Sequence, residues 1–372
     1  MAKNKNRQRE PVSEKIPLVS VIIPMYNSAK FIPQTLESLL YQTMKDFEVV
    51  VVDDCSTDNS VEVVENCAEK FGGRLHVIRL PKNTGTPSLP RNVGIQFARG
   101  KYISFLDSDD LYTKTALEEL SELAEEYQAD VVSIDGSFKL WGGERKSIDD
   151  PAMTNMNELT NPNNFKIMRF LYDTSLIKPT LTPDIEERLK LWIKAPGYDY
   201  GIFSSFCRRD FLLLNQIYFH KIPAGEDHFF NFVCLCMSKN FLRVPTIFYI
   251  VRPRDNSIMR EELSNSKSYF IKRVSSFKIV MTLAGKFMEN IPFFQTHPFY
   301  KYAVLDKFAS FRLPPTINFY AHISRLVLHP LVEEEFKNMD VNLSAYIFDV
   351  MNIYRIQIMK LQQEINALKN PK

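Results

Sequence analysis

Cysteine is scarce in this chain: five among 372 residues (Cys55, Cys67, Cys207, Cys234 and Cys236), an odd number with no C-x-x-C pair. That argues against a disulfide framework and a structural zinc site, and points to a reducing compartment. Charge of one sign is not in excess either. The 46 Lys plus Arg against 44 Asp plus Glu leave +2, so no whole-molecule field draws the chain to nucleic acid and an anionic ligand must be met by a local site. No stretch approaches the roughly 18–20 uninterrupted apolar residues of a membrane span. Met1–Lys15 is polar, without the apolar run of a signal peptide or anchor, and residues 1–16 read as a disordered arm. The expectation is a soluble, cytoplasmic chain with at most peripheral contact with the inner face of a membrane. No H-x-x-x-H pair occurs among the six histidines, no G-x-G-x-x-G follows the first apolar run, and no G-x-x-x-x-G-K-[ST] is found. A histidine zinc site, the dinucleotide fingerprint and the phosphate loop are therefore missing.

What is present is an ordinary globular composition, 45% apolar and 12% aromatic, in a chain long enough for two domains. From Leu18 to Ile134, short β-branched runs alternate with segments of helical period, the pattern of a mostly parallel, doubly wound α/β sheet with helices on both faces. Strands are expected at Leu18–Ile23, Phe47–Val52, Leu75–Leu80, Lys101–Leu106 and Asp130–Ile134. Helices are expected at Ala29–Gln42, Asn59–Phe71, Leu89–Ala98 and Thr113–Tyr127. From Trp141 to about Pro196 the pattern is too weak to place elements. Beyond it, Tyr198–Cys207 reads as a strand, Arg209–Asn215 and Glu226–Met237 as helices, and Phe241–Val251 as a strand interrupted by Pro245. Long helical patterns then run to the end. The division expected is residues 17–260 as one α/β domain, in halves 17–135 and 136–260, with an all-helical appendage over 261–372.

In such sheets ligands lie beyond the carboxyl ends of the strands. There the sequence sets Pro24-Met25-Tyr26-Asn27, Asp53-Asp54-Cys55-Ser56, Asn83-Thr84-Gly85 with Arg91-Asn92, and Asp107-Ser108-Asp109-Asp110. Three carboxylates in four residues repel one another unless a cation or ordered solvent compensates them, and hard oxygens suit Mg²⁺ or Mn²⁺ rather than zinc. By itself an acidic turn is more often a solvated loop or helix cap. The convergence of Asp53, Asp54 and Tyr26 on the same crevice raises the metal reading. A second acidic signal, Gly225-Glu226-Asp227-His228, opens a helix, where its plain reading is a cap favoured by the helix dipole.

Together, Ser20–Asn27, Val51–Asp58, Arg91–Ile95 and Phe105–Asp110 resemble, in order and spacing, the motifs of family 2, GT-A fold glycosyltransferases, over residues 18 to about 257. Lys82–Gly85 through Pro90-Arg91-Asn92 further resembles the branch that glycosylates bacterial wall teichoic acids and related surface polysaccharides. The resemblance implies an inverting transfer from a nucleotide sugar, often a UDP-sugar, to a glycan, glycolipid or teichoic-acid hydroxyl. It implies that Pro24, Tyr26, Asp53 and Asp54 hold base and ribose, with Asn27 and Ser108 in the same nucleotide-sugar site. Asn83 and Arg91 would lie near ribose, diphosphate and sugar. Asp109 would ligate a divalent metal, Mn²⁺ or Mg²⁺, and Asp107 would contact ribose or metal-bound water.

The Glu226-Asp227 pair resembles the family's Glu-Asp motif, which makes Asp227 the general base and Glu226 a group orienting base or acceptor. Tyr249-Ile250-Val251-Arg252, with Ser257-Ile258 after it, resembles a segment that closes over the diphosphate. Arg252 would put a fixed charge there and Ser257 a hydrogen bond; a solvated basic loop is the alternative. Arg208 and Arg209 could meet an anionic acceptor or form a strand-end charge pair. Pro87-Ser88-Leu89-Pro90 departs from the family pattern. A strict heptad runs Ile347, Met351, Tyr354, Ile358, Leu361, Ile365, Leu368, which packs within the tail or joins subunits in a homo-oligomer. Competing classes are a non-catalytic nucleotide-sugar-binding scaffold, against which Asp107, Asp109 and Asp227 speak, and a nucleotidyltransferase, which would want a glycine- and basic-rich loop where Pro24–Lys30 stands.

Overall fold

The computed structural model describes residues 16–140, 167–171, 176–194, 201, 205–246, 248–252 and 267–312. The chain divides into two compact units. The first is built on β1 (Val19–Met25), α1 (Ile32–Leu40), β2 (Phe47–Asp53), α2 (Ser60–Cys67), β3 (Leu75–Arg79), α3 (Ser88–Phe97) and β4 (Tyr102–Phe105). Every residue of β1 and β2 is buried, which is why these strands read as continuous apolar runs rather than alternating ones. Each such Val or Ile contributes about 1.5–3 kcal/mol by burial. β2 and β4 flank β1, both parallel to it, and β3 lies parallel outside β2. The chain thus winds outward from β1 through β2 to β3 and returns on the other side with β4, which puts the switch point between β1 and β4.

The sheet then departs from a simple doubly wound order. After β5 (Leu111–Tyr112), α4 (Ala116–Glu126) and β6 (Val131–Ile134), the order across the eight-stranded sheet is β3-β2-β1-β4-β10-β6-β11-β9. Here β9 is Thr180–Leu181, β10 Ser205–Arg208 and β11 Phe241–Val244. β10 is antiparallel to both β4 and β6, and β9 antiparallel to β11. Pro245 does more than interrupt a strand. Phe241–Val244 stays in the large sheet, whereas Tyr249–Val251 (β12) joins a four-stranded sheet with β5, β7 (Gly136–Leu140) and β8 (Ile167–Leu171), in the order β5-β12-β7-β8. The single strand expected over Phe241–Val251 is thus two strands in two sheets, because a residue without an N–H cannot continue the ladder. The small sheet, with β7, β8 and the two-residue β5, was not foreseen: its strands are short and its pairings join distant parts of the chain.

At the amino ends of the strands the backbone is closely packed. A Cβ on Gly100 would lie 2.5 Å from the Ser20 backbone nitrogen, so no side chain fits where β4 enters beside β1. Ser20 Oγ donates to Glu48 Oε1 (2.6 Å) and accepts from Gly100 N (2.8 Å); Glu48 also accepts from Arg99 N and Nε.

The second unit contains Ile185–Asp199, Ile222–Gly225 and Ile258–Lys372, so two stretches within residues 136–260 group with the C-terminal part of the chain. Its described helices are α5 (Ile185–Lys194), α8 (Lys267–Glu289), α9 (Pro292–Thr296) and α10 (Phe299–Arg312); in the first unit α6 is Arg209–Leu214 and α7 Glu226–Met237. Trp192 is buried edge-on to Phe308 at 5.3 Å, and Val280, Met281, Ala284 and Met288 line the buried face of α8. The heptad from Ile347 to Leu368 lies outside the described residues. Among those described, no helix is long and apolar enough to cross a membrane.

Candidate active site

The carboxyl ends of β1, β2 and β4 carry the motifs to one edge of the sheet. After β1 and β2 the chain turns sharply, and Asn27 (φ 47°) and Cys55 (φ 62°) hold left-handed conformations that side chains rarely take. Asn27 fastens the two turns together: its side-chain Oδ1 accepts from Thr57 N (2.8 Å), while its backbone N–H donates to Ser56 Oγ (2.9 Å). Asp53, fully buried, accepts from Ser56 N (3.2 Å), and Asp54 accepts from Thr84 N (3.0 Å) and Thr84 Oγ1 (3.0 Å). Asn83 Oδ1 takes Gly85 N–H at 2.7 Å. Pro24 is buried within β1 and Tyr26 stands exposed beyond it. These polar groups therefore shape the rim with their side chains, leaving Tyr26 as its exposed ring.

The acidic turn after β4 is braced from behind. Tyr249 of β12 donates its hydroxyl to Asp110 Oδ2 (2.9 Å) and accepts Asp107 N–H (3.1 Å). Arg252 N donates to Asp110 Oδ1 (2.8 Å), and its guanidinium binds the Asp109 carbonyl, Gln34, the Phe31 carbonyl (3.1 Å) and Thr35 Oγ1 (2.9 Å). Ser108 is buried against Ser28 Oγ at 2.7 Å. Burial, then the charges of Asp109 and Asp107, push the Asp110 carboxyl well above its ordinary range. Burial likewise lowers Arg252 to about 10.

Arg91 joins this turn to the second motif. Its Nη2 donates to Asp107 Oδ1 (2.8 Å) and its Nη1 to Glu226 Oε1 (2.7 Å), and the guanidinium lies 5.3 Å from the Phe219 ring centre. Burial opposes its charge, but Asp107, Glu226 and Asp227 raise its pKa above the ordinary value. Glu226 is pushed up by burial and by Asp227, with Arg91 pulling the other way. Asp227, in the first turn of α7 and partly exposed, accepts the N–H of His228 (2.9 Å).

The structure thus brings together Asp107, Asp109, Arg91, Glu226 and Asp227, with Tyr26, Asn27, Asp53, Asp54 and Asn83 on the neighbouring rim. Arg252 stands behind the acidic turn, with its guanidinium hydrogen-bonded to Asp109, Gln34, Phe31 and Thr35. Ser257 lies outside the described residues. Arg208 resolves to the charge-pair alternative, since it faces Tyr102 in the register and ion-pairs with Asp130 at the amino end of β4. Phe219, Thr35 and Gln34 carried no sequence signal. Tyr249 stood in a recognised motif, but nothing local tied it to the acidic turn.

Among the described residues no three His, Cys, Asp or Glu side chains converge as a metal cage. The donor set nevertheless fits a hard divalent ion: Asp107 and Asp109 stand on one turn and both are partly exposed, and carboxylate oxygens suit Mg²⁺ or Mn²⁺. Such an ion would need further oxygens from a phosphorylated ligand.

Residues 20–180 match the model of Glycosyl transferase family 2. An uncharacterized glycosyltransferase of Haemophilus influenzae is 34% identical over 174 residues, 46% of this chain and 68% of its own. The uncharacterized glycosyltransferase EpsJ of Bacillus subtilis is 36% identical over 244 residues, and the poly(ribitol-phosphate) beta-N-acetylglucosaminyltransferase TarS of Staphylococcus aureus (strain MW2) 36% over 167. These matches take in 65% and 44% of this chain, but 63% of EpsJ and 28% of TarS. The crystal structure of S. aureus TarS 1-349 in complex with UDP superposes with a TM-score of 0.56 at 26% identity, covering 81% of this chain and 74% of that one. The chain belongs to glycosyl transferase family 2, and its first unit has the GT-A fold.

Proposed function

We propose that the chain is an inverting glycosyltransferase that moves a sugar from a nucleotide sugar, a UDP-sugar by preference, to a hydroxyl of a bacterial wall polymer such as a teichoic acid. The observation that carries this reading is the meeting of the Asp107–Asp109 turn with the Glu226–Asp227 pair across Arg91, an acidic diphosphate site facing an acidic base site. The UDP complex of TarS and the wall-polymer activity in its name support the choice of sugar donor and acceptor.

In this mechanism the rim around Tyr26, Asp53 and Asp54 receives the nucleoside, and Asp109 with Asp107 would hold Mn²⁺ or Mg²⁺. Such an ion would supply charge compensation on the departing diphosphate. Asp227 takes the proton of the acceptor hydroxyl as its oxygen attacks the anomeric carbon. The bond from that carbon to the diphosphate oxygen breaks in the same step, and the electron pair leaves with the nucleoside diphosphate. One in-line displacement inverts the configuration and forms no covalent enzyme intermediate. Asp227 suits the part because it is partly exposed, whereas Glu226 is buried and held by Arg91.

The test is a panel of nucleotide sugars, with and without Mn²⁺ or Mg²⁺, scored by thermal protection and by release of nucleoside diphosphate. Ligand at 100 times its dissociation constant should add about 2.7 kcal/mol, and one UDP-sugar should stand out only when metal is present. Equal protection without metal would remove the ion from the site, and no protection by any nucleotide sugar would end the proposal.

A further inference from the structure

We infer that Arg91 is a positioning residue whose guanidinium ties the turn that receives the nucleotide to the carboxylate pair that receives the acceptor. This deepens the function proposed above and rests on its reading of Asp227 as the base. The two carboxylates that Arg91 holds stand 16 and 135 residues away in sequence, one at the end of β4 and one at the start of α7. The bridge is buried on the arginine (side chain 4% exposed) and more open on Asp107 (32%), so a ligand can reach one end of it without reaching the other.

The surroundings hold this bridge in one geometry. The Phe219 ring beneath Arg91 is stacked on Phe230 of α7 (4.0 Å, 5°) and set edge-on to Phe105, the last residue of β4 (5.3 Å, 84°). Phe219 is itself fixed by α3. Asn92 exchanges two hydrogen bonds with its backbone, each 2.8 Å; Ser88 donates to the His220 carbonyl (2.8 Å) and Gln96 to the Tyr218 hydroxyl (2.7 Å). Ser88, Arg91, Asn92 and Gln96 share one face at helical spacing. One helix face thus sets both the cation and the aromatic floor that the two motifs share.

Glu226 and Asp227 are neighbours in the first turn of α7, so a shift of Glu226 moves the base. A planar fork can hold two carboxylates at once, and a lysine ammonium is a point charge that cannot reproduce that span. Occupation of Asp107 by the nucleotide would then be felt at Glu226, and through it at Asp227, before the acceptor arrives.

Two measurements decide it. In Arg91→Lys, affinity for UDP with Mn²⁺ should stay within about threefold, while kcat at saturating nucleotide sugar falls about 10- to 100-fold. Affinity falling in step with kcat/KM at unchanged kcat would make Arg91 a nucleotide-binding group instead, and unchanged values in both would make the bridge idle. The second measurement needs no turnover. Amide hydrogen exchange should quicken by about threefold or more in the first turns of α7 in Asp107→Asn, and in residues 105–112 in Glu226→Gln. Changes confined to the substituted element would overturn the inference. A nucleotide-sugar panel without turnover would sink the proposed function and leave exchange to decide the bridge.

Discussion

Glu48, near the amino ends of the strands, is encircled by hydrogen-bond donors, whereas at the carboxyl ends of the same sheet Asp107, Asp109, Asp110, Glu226 and Asp227 crowd against one another. The donors Ser20 and Arg99 outweigh burial and lower the Glu48 pKa. Burial and like charge raise those of Asp110 and Glu226. The amino end closes the fold around one carboxylate with its donors, and the carboxyl end gathers several carboxylates, of which Arg91 pairs Asp107 and Glu226 while Asp109 and Asp227 stand partly exposed, as expected where strands of an α/β sheet present a site.

The sharpest test of this contrast is Asp227→Asn. The amide keeps the shape but cannot take a proton, so transfer should fall about 10² to 10⁴-fold with the fold and UDP affinity retained. Turnover paired with calorimetry checks it; near-normal turnover alongside a dead Glu226→Gln would make Glu226 the base. At the other end, Glu48→Ala should leave activity per folded molecule unchanged but cost about 3 kcal/mol of stability, because Ser20 and the backbone of Arg99 lose a buried charged partner. Chemical denaturation measures that loss, and a value below about 1 kcal/mol would deny the amino end its bracing role.

Asp109→Ala should do the reverse of Glu48→Ala. Metal-dependent UDP affinity should weaken at least about tenfold, while stability stays within about 0.5 kcal/mol, since one charge is lifted from a crowded turn and the backbone carbonyl that Arg252 binds is kept. Titration with UDP and Mn²⁺ decides, and unchanged affinity would take Asp109 out of the metal site.

The smallest effect is in the pH dependence. A carboxylate held below its ordinary value stabilises the fold above that value, so the Glu48 contribution is complete above pH 4.5 and is lost as pH falls through its lower folded pKa. For Glu226, raised above 4.5, the sign is opposite: stability declines as pH rises from 4.5 to its folded pKa. Melting temperatures across pH should show Glu48→Gln flattening the acid limb and Glu226→Gln removing the decline above it. The same response in both variants would erase the distinction between the two ends.

The motifs were legible because each is short and sits directly after a strand whose apolar run announces it. Val19–Met25, Phe47–Asp53 and Tyr102–Phe105 fell within a few residues of expectation, and Glu226–Met237 matched at both ends. The partners of those motifs were not legible. Tyr249 reaches Asp107 and Asp110 only because Pro245 sends the chain into a second sheet, and the contact of Arg252 with Thr35 of α1 joins residues 217 apart in sequence.

The class of fold, the identity of the acidic groups and the edge at which they gather are written in the residue order, because hydrophobic period and strand-end chemistry are local properties. Tertiary structure alone decided which charges neutralise one another. Arg91 chooses Asp107 and Glu226, and Arg208 chooses Asp130, through contacts between residues remote in sequence. Such pairings depend on burial and distance, which no spacing along the chain encodes.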